Sequence, residues 1–239
     1  MFNLKRKQSL LTSDVLNGFV DCHNHILPDI DDGIESVSDA IDTLNYYEKI
    51  GVKRVIFTPH IKKQFPANNY DSVREKYDEF ISVYRDGVQV SLAAEYMLDY
   101  DFEKHLASGK LLPLFDEYIL LELPEVAPPF DFVNRIKHIM SAGYFVVLAH
   151  PERYLYLDKK LLWLLKDDGV KFQLNLFSLS GKYGKSIKNR AIYNLKKGAY
   201  DLLGSDLHSK QTLEYMEQKC LTREIIESLS ILCNNNLIK

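Results

Sequence analysis

Seven short runs of aliphatic and β-branched residues recur along this 239-residue chain, at 18–23, 52–60, 88–96, 118–124, 144–150, 171–178 and 199–208. Most are apolar nearly throughout, as strands are when a parallel sheet is buried on both faces. The intervals between them carry helical spacing. Ala40, Ile41, Leu44 and Tyr47 share one face of a 3.6-residue period. So do Val133, Ile136, Lys137 and Met140, with the lysine stem at the edge of the stripe. Leu161, Leu162, Leu164 and Leu165 around Trp163 mark a shorter helix. Gly51, Gly87, Gly143, Gly169 and Gly198 each stand between a helical stretch and the next strand, where a left-handed residue ends a helix. This alternation implies right-handed crossovers and a parallel sheet. Seven strands are too many for two compact domains of this length, and no Ser/Gly-rich linker or charge block separates them. The expected architecture is one α/β barrel over residues 18–239, preceded by an N-terminal extension at 1–17.

Composition narrows the partners. A net charge of −3 lacks the basic excess that a nucleic-acid surface needs. The longest apolar run, 144–149, is far too short to insert in a membrane. Cys22, Cys220 and Cys233 form an odd set without a C-x-x-C pair, which favours a reducing compartment. The basic trio Lys5, Arg6 and Lys7 is followed by no signal-peptide core, so a cytoplasmic location is expected. The trio reads as a solvated, mobile end or as an attraction for an anionic surface.

The polar residues fall in a pattern that packing does not explain. The first run leads into Asp21, His23, His25 and the acidic stretch Asp29-Ile30-Asp31-Asp32-Gly33. Later runs end in His60, Glu95, Glu122, His150 and the pair Asp206 and His208. Five of the seven histidines thus lie at or just past a strand end, whereas His105 and His138 sit in helical stretches and are expected at the surface. In a parallel barrel these strand ends meet at one mouth. Nine histidines and carboxylates there (His23, His25, Asp32, His60, Glu95, Glu122, His150, Asp206 and His208) point to a metal centre of catalytic type. Four such ligands satisfy one ion, so nine suggest two or three. Clustered ions suit displacement at phosphorus, because they activate water and neutralise phosphoryl charge.

Arg153 is placed to offer its planar fork to a phosphate, the alternative being an ion pair with Glu152 or another nearby acid. Lys210 offers a second cation of this kind or else a solvated side chain. Cys22 reads as a small hydrophobe in the barrel wall, since no cysteine has an arginine at the C-x5-R spacing of a cysteine phosphatase. Nucleotide-binding glycine motifs are missing from the sequence.

The sequence resembles the polymerase and histidinol phosphatase (PHP) superfamily, in its CpsB/YwqE-like branch of bacterial tyrosine phosphatases from capsule and exopolysaccharide loci. The resemblance rests on Asp21-x-His23-x-His25-Ile26-Leu27-Pro28-x-x-Asp31-Asp32-Gly33, Thr58-Pro59-His60, Ala94-Glu95, Leu121-Glu122, Ala149-His150-Pro151-Glu152-Arg153-Tyr154 and Gly204-Ser205-Asp206-x-His208. It spans residues 19 to 210 and implies a distorted (β/α)7 TIM-like barrel of the PHP type. It also implies up to three ions, manganese first and iron or zinc next. His23, His25, Glu95 and Asp206 would hold the first ion. Glu95, Glu122 and His150 would hold the second, and Asp32, His60 and His208 the third. Arg153, Asp206 and His208 would be the catalytic residues, with Arg153 on the substrate phosphate. Two departures stand out: about twenty residues precede the first motif, and Asp29 replaces an expected small residue, adding charge beside the metals.

The resulting expectation is a metal-dependent protein-tyrosine phosphatase whose partner is a tyrosine kinase of polysaccharide biosynthesis, with a homo-oligomer left open. A small-molecule phosphoesterase of the histidinol-phosphatase type competes with it. So does a non-catalytic, metal-bearing regulatory module.

Overall fold

The computed structural model describes residues 7–10, 14–217 and 219–233. Its elements run β1 (Lys7–Ser9), β2 (Val20–Asp21), α1 (Val37–Lys49), β3 (Arg54–Phe57), β4 (His60–Ile61), α2 (Tyr70–Val83), β5 (Gln89–Leu92), β6 (Glu95–Met97) and α3 (Phe102–Ser108). They continue with β7 (Tyr118–Glu122), α4 (Phe132–Ser141), β8 (Phe145–Ala149), α5 (Lys159–Asp167), β9 (Lys171–Asn175), a 3-10 turn (Leu176–Ser180), α6 (Lys185–Lys196), β10 (Leu202–Gly204), α7 (Lys210–Glu217), β11 (Cys220–Thr222) and α8 (Arg223–Cys233).

Two parallel sheets, ordered β10-β9-β8-β7-β6-β4 and β2-β3-β5, make up the barrel. Two of the seven expected strands are broken: 52–60 divides into β3 and β4, and 88–96 into β5 and β6. The first break falls at Thr58-Pro59, where proline has no N–H to continue the ladder. Hydrogen bonds carry the ring across the breaks, from Ala93 N to Phe57 O (2.8 Å) and from Glu95 N to Pro59 O (3.1 Å). On the other side Asp206 N donates to His23 O (2.7 Å) and His25 N to Leu207 O (2.9 Å). The outcome is the distorted seven-stranded α/β barrel that the sequence suggests, with neighbouring strands in chain order.

Alternation divides the core in two. Phe57, Tyr96, Ile119, Leu121, Val146, Leu148, Phe172 and Leu174 join the larger cluster, in which the helices also bury their apolar faces. Cys22, Ile56, Ala93, Leu120, Val147, Ala149 and Leu202 form a smaller one inside the barrel. Leu120 lies on the same strand face as Glu122, so this cluster is the floor beneath the mouth. Cys22 is the small hydrophobe expected, but it packs in that floor, with Sγ donating to Leu203 O (3.2 Å).

Several local expectations shift. The buried stripe of α4 is Phe132, Ile136 and Ile139, whereas Lys137 is exposed and pairs with Asp168 (3.0 Å). The run at 171–178 leaves the strand after Asn175, because the Asn175 side chain accepts from Phe177 N and starts the 3-10 turn. Gly51, Gly143, Gly169 and Gly198 follow helix ends with positive φ; Gly87, also positive, sits in the loop past α2 instead. His138 is exposed as expected, whereas His105 is half-buried with its ring 6.0 Å from Tyr96. Lys7 lies in β1, which pairs antiparallel with β11, and Leu10 and Leu16 are buried against the body, so these residues are not a loose end. Lys5 and Arg6 lie outside the described residues. No helix among the described residues is long and apolar enough to cross a membrane.

Candidate metal centre

All nine candidate ligands meet at the C-terminal mouth of the barrel. Buried Glu95 is central, with its carboxylate oxygens 2.9 Å from His60 Nδ1, 3.2 Å from His23 Nε2 and His150 Nε2, and 3.5 Å from His25 Nε2. Asp206 Oδ1 lies 3.3 Å from His25 Nε2 and 3.5 Å from His23 Nε2. Asp32, 57% exposed, closes the outer edge 3.5 Å from His60 Nε2 and 3.8 Å from His208 Nε2. Four overlapping sets have donor atoms within 4.8 Å of one another: His25, Asp32, His60 and His208; His23, His25 and Glu95; His23, His150 and Asp206; and His60, Glu95 and Glu122. His150 stands between these sets: it groups with His23 and Asp206, and its Nε2 lies 3.2 Å from Glu95 and 3.9 Å from Glu122.

The backbone builds this convergence by local exceptions. His150 (φ 32°) and Asp206 (φ 53°) both occupy the left-handed region just past β8 and β10, a costly conformation for residues with a Cβ. The same mouth needs two close approaches that only glycine permits. A Cβ on Gly33 would stand 2.1 Å from His25 O, and one on Gly204 2.5 Å from His23 Cβ.

Hydrogen bonds fix which imidazole nitrogen faces the centre. His23 Nδ1 donates to Gln173 Oε1 (2.9 Å), His25 Nδ1 to Asp31 Oδ2 (2.7 Å) and His208 Nδ1 to the Asp206 carbonyl (3.0 Å), leaving each Nε2 free to act as a ligand. Six buried atoms in the cluster then lack a hydrogen-bond partner: His23 Nε2, His25 Nε2, His60 Nδ1, Glu95 Oε2, Glu122 Oε2 and His150 Nδ1. Unsatisfied buried donors and acceptors are costly without a compensating ligand. This mixed imidazole and carboxylate set fits first-row divalent ions.

Electrostatics show how much charge the mouth gathers. Burial, then repulsion from Glu95, pushes the Glu122 carboxyl up to about 8. Burial works against the charged form of His23, but Glu95 and Asp206 outweigh it and raise the imidazole to about 9. Burial, followed by Arg153, takes His150 down to about 4; burial, followed by His25, does the same to His208.

Arg153 reaches the mouth, with Nη1 donating to Asp206 Oδ2 (2.8 Å), its guanidinium over the Tyr183 ring (4.7 Å) and a further ion pair to Glu125. It does not pair with Glu152, which is fully buried and accepts from Asn175 N and Tyr200 OH. Lys210 is taken up by Asp39 (2.6 Å) and Asp42 (2.7 Å) of α1. It ties α7 to α1 and is not a free cation at the ligand cluster. Asp29 is likewise turned away: 80% exposed, it pairs with Lys76 of α2 (3.1 Å), so its charge is countered there rather than added beside the ligands.

Gln173, Asn175 and Tyr183 join the site without a sequence signal, and Asp31, part of the first motif, acts as the partner of His25. Asn175 Nδ2 donates to Asp206 Oδ2 (2.7 Å) and so shares that carboxylate with Arg153. Gln173 and Asn175 share one face of β9 with Lys171, as polar residues spaced by two that alternate with Phe172 and Leu174.

A family model for capsular polysaccharide synthesis proteins, CpsB/CapC, matches residues 19–228. Tyrosine-protein phosphatase YwqE of Bacillus subtilis (strain 168) is 30% identical over 213 residues, covering 84% of this chain and 82% of the relative. Tyrosine-protein phosphatase CpsB of Streptococcus pneumoniae is 26% identical over 211 residues, covering 83% of this chain and 87% of the relative. A solved structure from the work on YwqE of Bacillus subtilis and CpsB of Streptococcus pneumoniae, described as unique metal-dependent tyrosine phosphatases, aligns with a TM-score of 0.74 at 28% identity, covering 92% of this chain and 96% of that one. With the fold, the clustered donors and the matched length in agreement, the chain belongs to the CpsB/CapC family of capsular polysaccharide synthesis proteins.

Proposed function

We propose that this chain is a metal-dependent protein-tyrosine phosphatase that removes phosphate from a bacterial tyrosine kinase controlling capsular or exopolysaccharide synthesis. The observation that carries the reading is the set of partnerless imidazole and carboxylate atoms at the barrel mouth, with an arginine fork beside them. The proposed ligands are His23, His25, Glu95 and Asp206 for one ion, Glu95, Glu122 and His150 for a second, and Asp32, His60 and His208 for a third, with manganese as the preferred metal. When bound, the ions supply Lewis acidity, making water nucleophilic at neutral pH and neutralising charge on the phosphoryl oxygens.

The protein's own groups do the positioning. Arg153 presents parallel N–H donors to two phosphate oxygens, with Asp206 and the Tyr183 ring holding its plane. Asp206, kept ionised despite burial by His23 and His25, receives Arg153 and Asn175 on Oδ2 and turns Oδ1 to the histidines. His208 stays neutral at physiological pH, so it serves as an electron-pair donor and not as a proton source.

The test is phosphate release by purified, manganese-loaded protein from phosphotyrosine peptides and from histidinol phosphate side by side, with elemental analysis of the protein as isolated. Peptide turnover well above that of the metabolite supports the reading, and no release from phosphotyrosine overturns it. Arg153→Ala and Asp206→Asn should each abolish most of the turnover. Background-level release by the wild type, unchanged in both variants, would mark a scaffold instead.

A further inference from the structure

The loop between β4 and α2 places two side chains at the cluster that neither the ligand set nor Arg153 accounts for. Lys62 is only 12% exposed, and its Nζ lies 3.9 Å from Glu122 Oε2. The ring of Phe65 lies nearly parallel to that of His60, at 8° and 5.9 Å between centroids, with Lys62 Nζ 5.5 Å from the Phe65 centroid. Lysine normally keeps its ammonium in water, so an ammonium drawn inward beside a ligand carboxylate adds positive charge at the mouth. Lys62 and Arg153 both act electrostatically on Glu122, from two different loops.

The loop is held in place. Phe65 N donates to Lys62 O (2.9 Å) and Asn68 N to Phe65 O (2.9 Å). Asn68 Nδ2 bonds Ile30 O (2.9 Å) and His60 O (2.8 Å), tying the loop to the segment that carries Asp32. On its side away from the ligands the loop borders a cavity of about 310 Å³, with Lys62, Phe65 and Pro66 on one wall and Asp99, Asp101 and His105 on the other. A rigid aromatic face and a cation thus stand together within reach of the phosphate-binding centre.

We infer that this loop reads the phosphorylated residue: Phe65 is the platform for the phosphotyrosine ring, and Lys62 is a second cation for its phosphate. The inference rests on the phosphatase reading and names the side chains that select an aryl ester within it. A phosphoserine leaves the Phe65 face uncovered, whereas a tyrosine ring gains a stacking contact there. Lys62 contributes to any phosphate monoester, because its partner is the phosphoryl charge.

The two roles separate in a pair of ratios. For metal-loaded wild type, Phe65→Leu, Phe65→Tyr and Lys62→Met, kcat/KM is measured on matched phosphotyrosine and phosphoserine peptides. Phenylphosphonate and orthophosphate are titrated calorimetrically, and metal content is recorded for each protein. Phe65→Leu should lower the aryl-to-alkyl ratio, in turnover and in binding, by roughly 3- to 10-fold. Phe65→Tyr should restore it. Lys62→Met should weaken both ligand classes alike, by roughly 10-fold or more, and leave the ratio as in wild type. An unchanged ratio in Phe65→Leu, or undiminished phosphate binding in Lys62→Met at full metal content, overturns the inference. Wild-type protein inactive on every ester would instead overturn the phosphatase reading itself.

Discussion

Arg153 stands between two carboxylates of opposite character. Asp206 is buried and shared with Asn175, whereas Glu125 is 49% exposed on the loop after β7. An incoming phosphate competes with Glu125 for the guanidinium but leaves the Asp206 contact in place. Glu125→Gln should therefore lower KM by roughly two- to fivefold, the scale of an exposed ion pair, with kcat little changed. Arg153→Ala should lower kcat/KM by about 10²- to 10³-fold, and Arg153→Lys should recover only part of it, because an ammonium has no planar fork. A KM for Glu125→Gln equal to or above that of wild type would show that the pair does not compete with substrate. Gln173 acts one step further out. Its Oε1 accepts from His23 Nδ1 and from His150 N (3.2 Å), so it sets the tautomer of one imidazole and the position of another. Gln173→Leu should weaken metal binding by roughly 10- to 100-fold, the usual effect of losing an outer hydrogen-bond partner. Competition against a metal-sensitive dye would check it, and an unaltered affinity would assign Gln173 to packing alone.

At the scale of elements, the mouth depends on how closely β10 approaches β2. A Cβ at position 204 would meet His23 Cβ at 2.5 Å, Gln173 Nε2 at 2.7 Å and His23 N at 3.0 Å, two of which cannot yield without moving the strand. Gly204→Ala should cost about 1–3 kcal/mol, the range for overpacking a tight interior, and should lower metal occupancy with it. A thermal melt and elemental analysis would test this, and wild-type values for both would refute the close-packing argument. The same packing explains what could be read beforehand. The runs that became β7 and β8 are buried on both faces and nearly all apolar, so their composition betrayed them. His23, His60, Glu95 and Asp206 stood out because polar residues ending apolar strands have no packing motive. The breaks that split 52–60 and 88–96 were harder to see: Pro59 was visible, but the ladder's change of partner there is a tertiary property. The pairing of β1 with β11 joins segments three residues long and more than two hundred positions apart, too short to show a period. The left-handed turns at His150 and Asp206 leave no mark in composition, since neither residue is glycine.

Across the whole molecule, the mouth couples folding, protons and metal. Consider first the metal-free protein. His150 and His208 have an ordinary value of 6.5 and are lowered to about 4 when folded, so the unfolded chain binds more protons between those limits and stability rises with pH there. Glu122, raised from 4.5 to about 8, and His23, raised from 6.5 to about 9, do the reverse: the folded protein holds the extra protons, and their contribution is lost as pH climbs through the folded values. Two groups rise against one falling below pH 6.5, and only falling ones remain above it, so the mouth stabilises metal-free protein most near pH 6.5. Metal ions bind the deprotonated forms of the same side chains, so binding releases protons and tightens as pH rises toward 9. At a free metal concentration 100 times Kd, binding adds about 2.7 kcal/mol. For a chain of this size that corresponds to a rise in Tm of roughly 5–10 °C. Melts with manganese and with a chelator, taken from pH 6.5 to 8.5 at fixed free metal, should therefore diverge. The chelated Tm should fall as pH increases, and the gap to the metal-loaded Tm should widen. A gap that stayed constant or narrowed over that interval would mean that protons and metal do not compete for His23 and Glu122, and would remove both from the set of ligands.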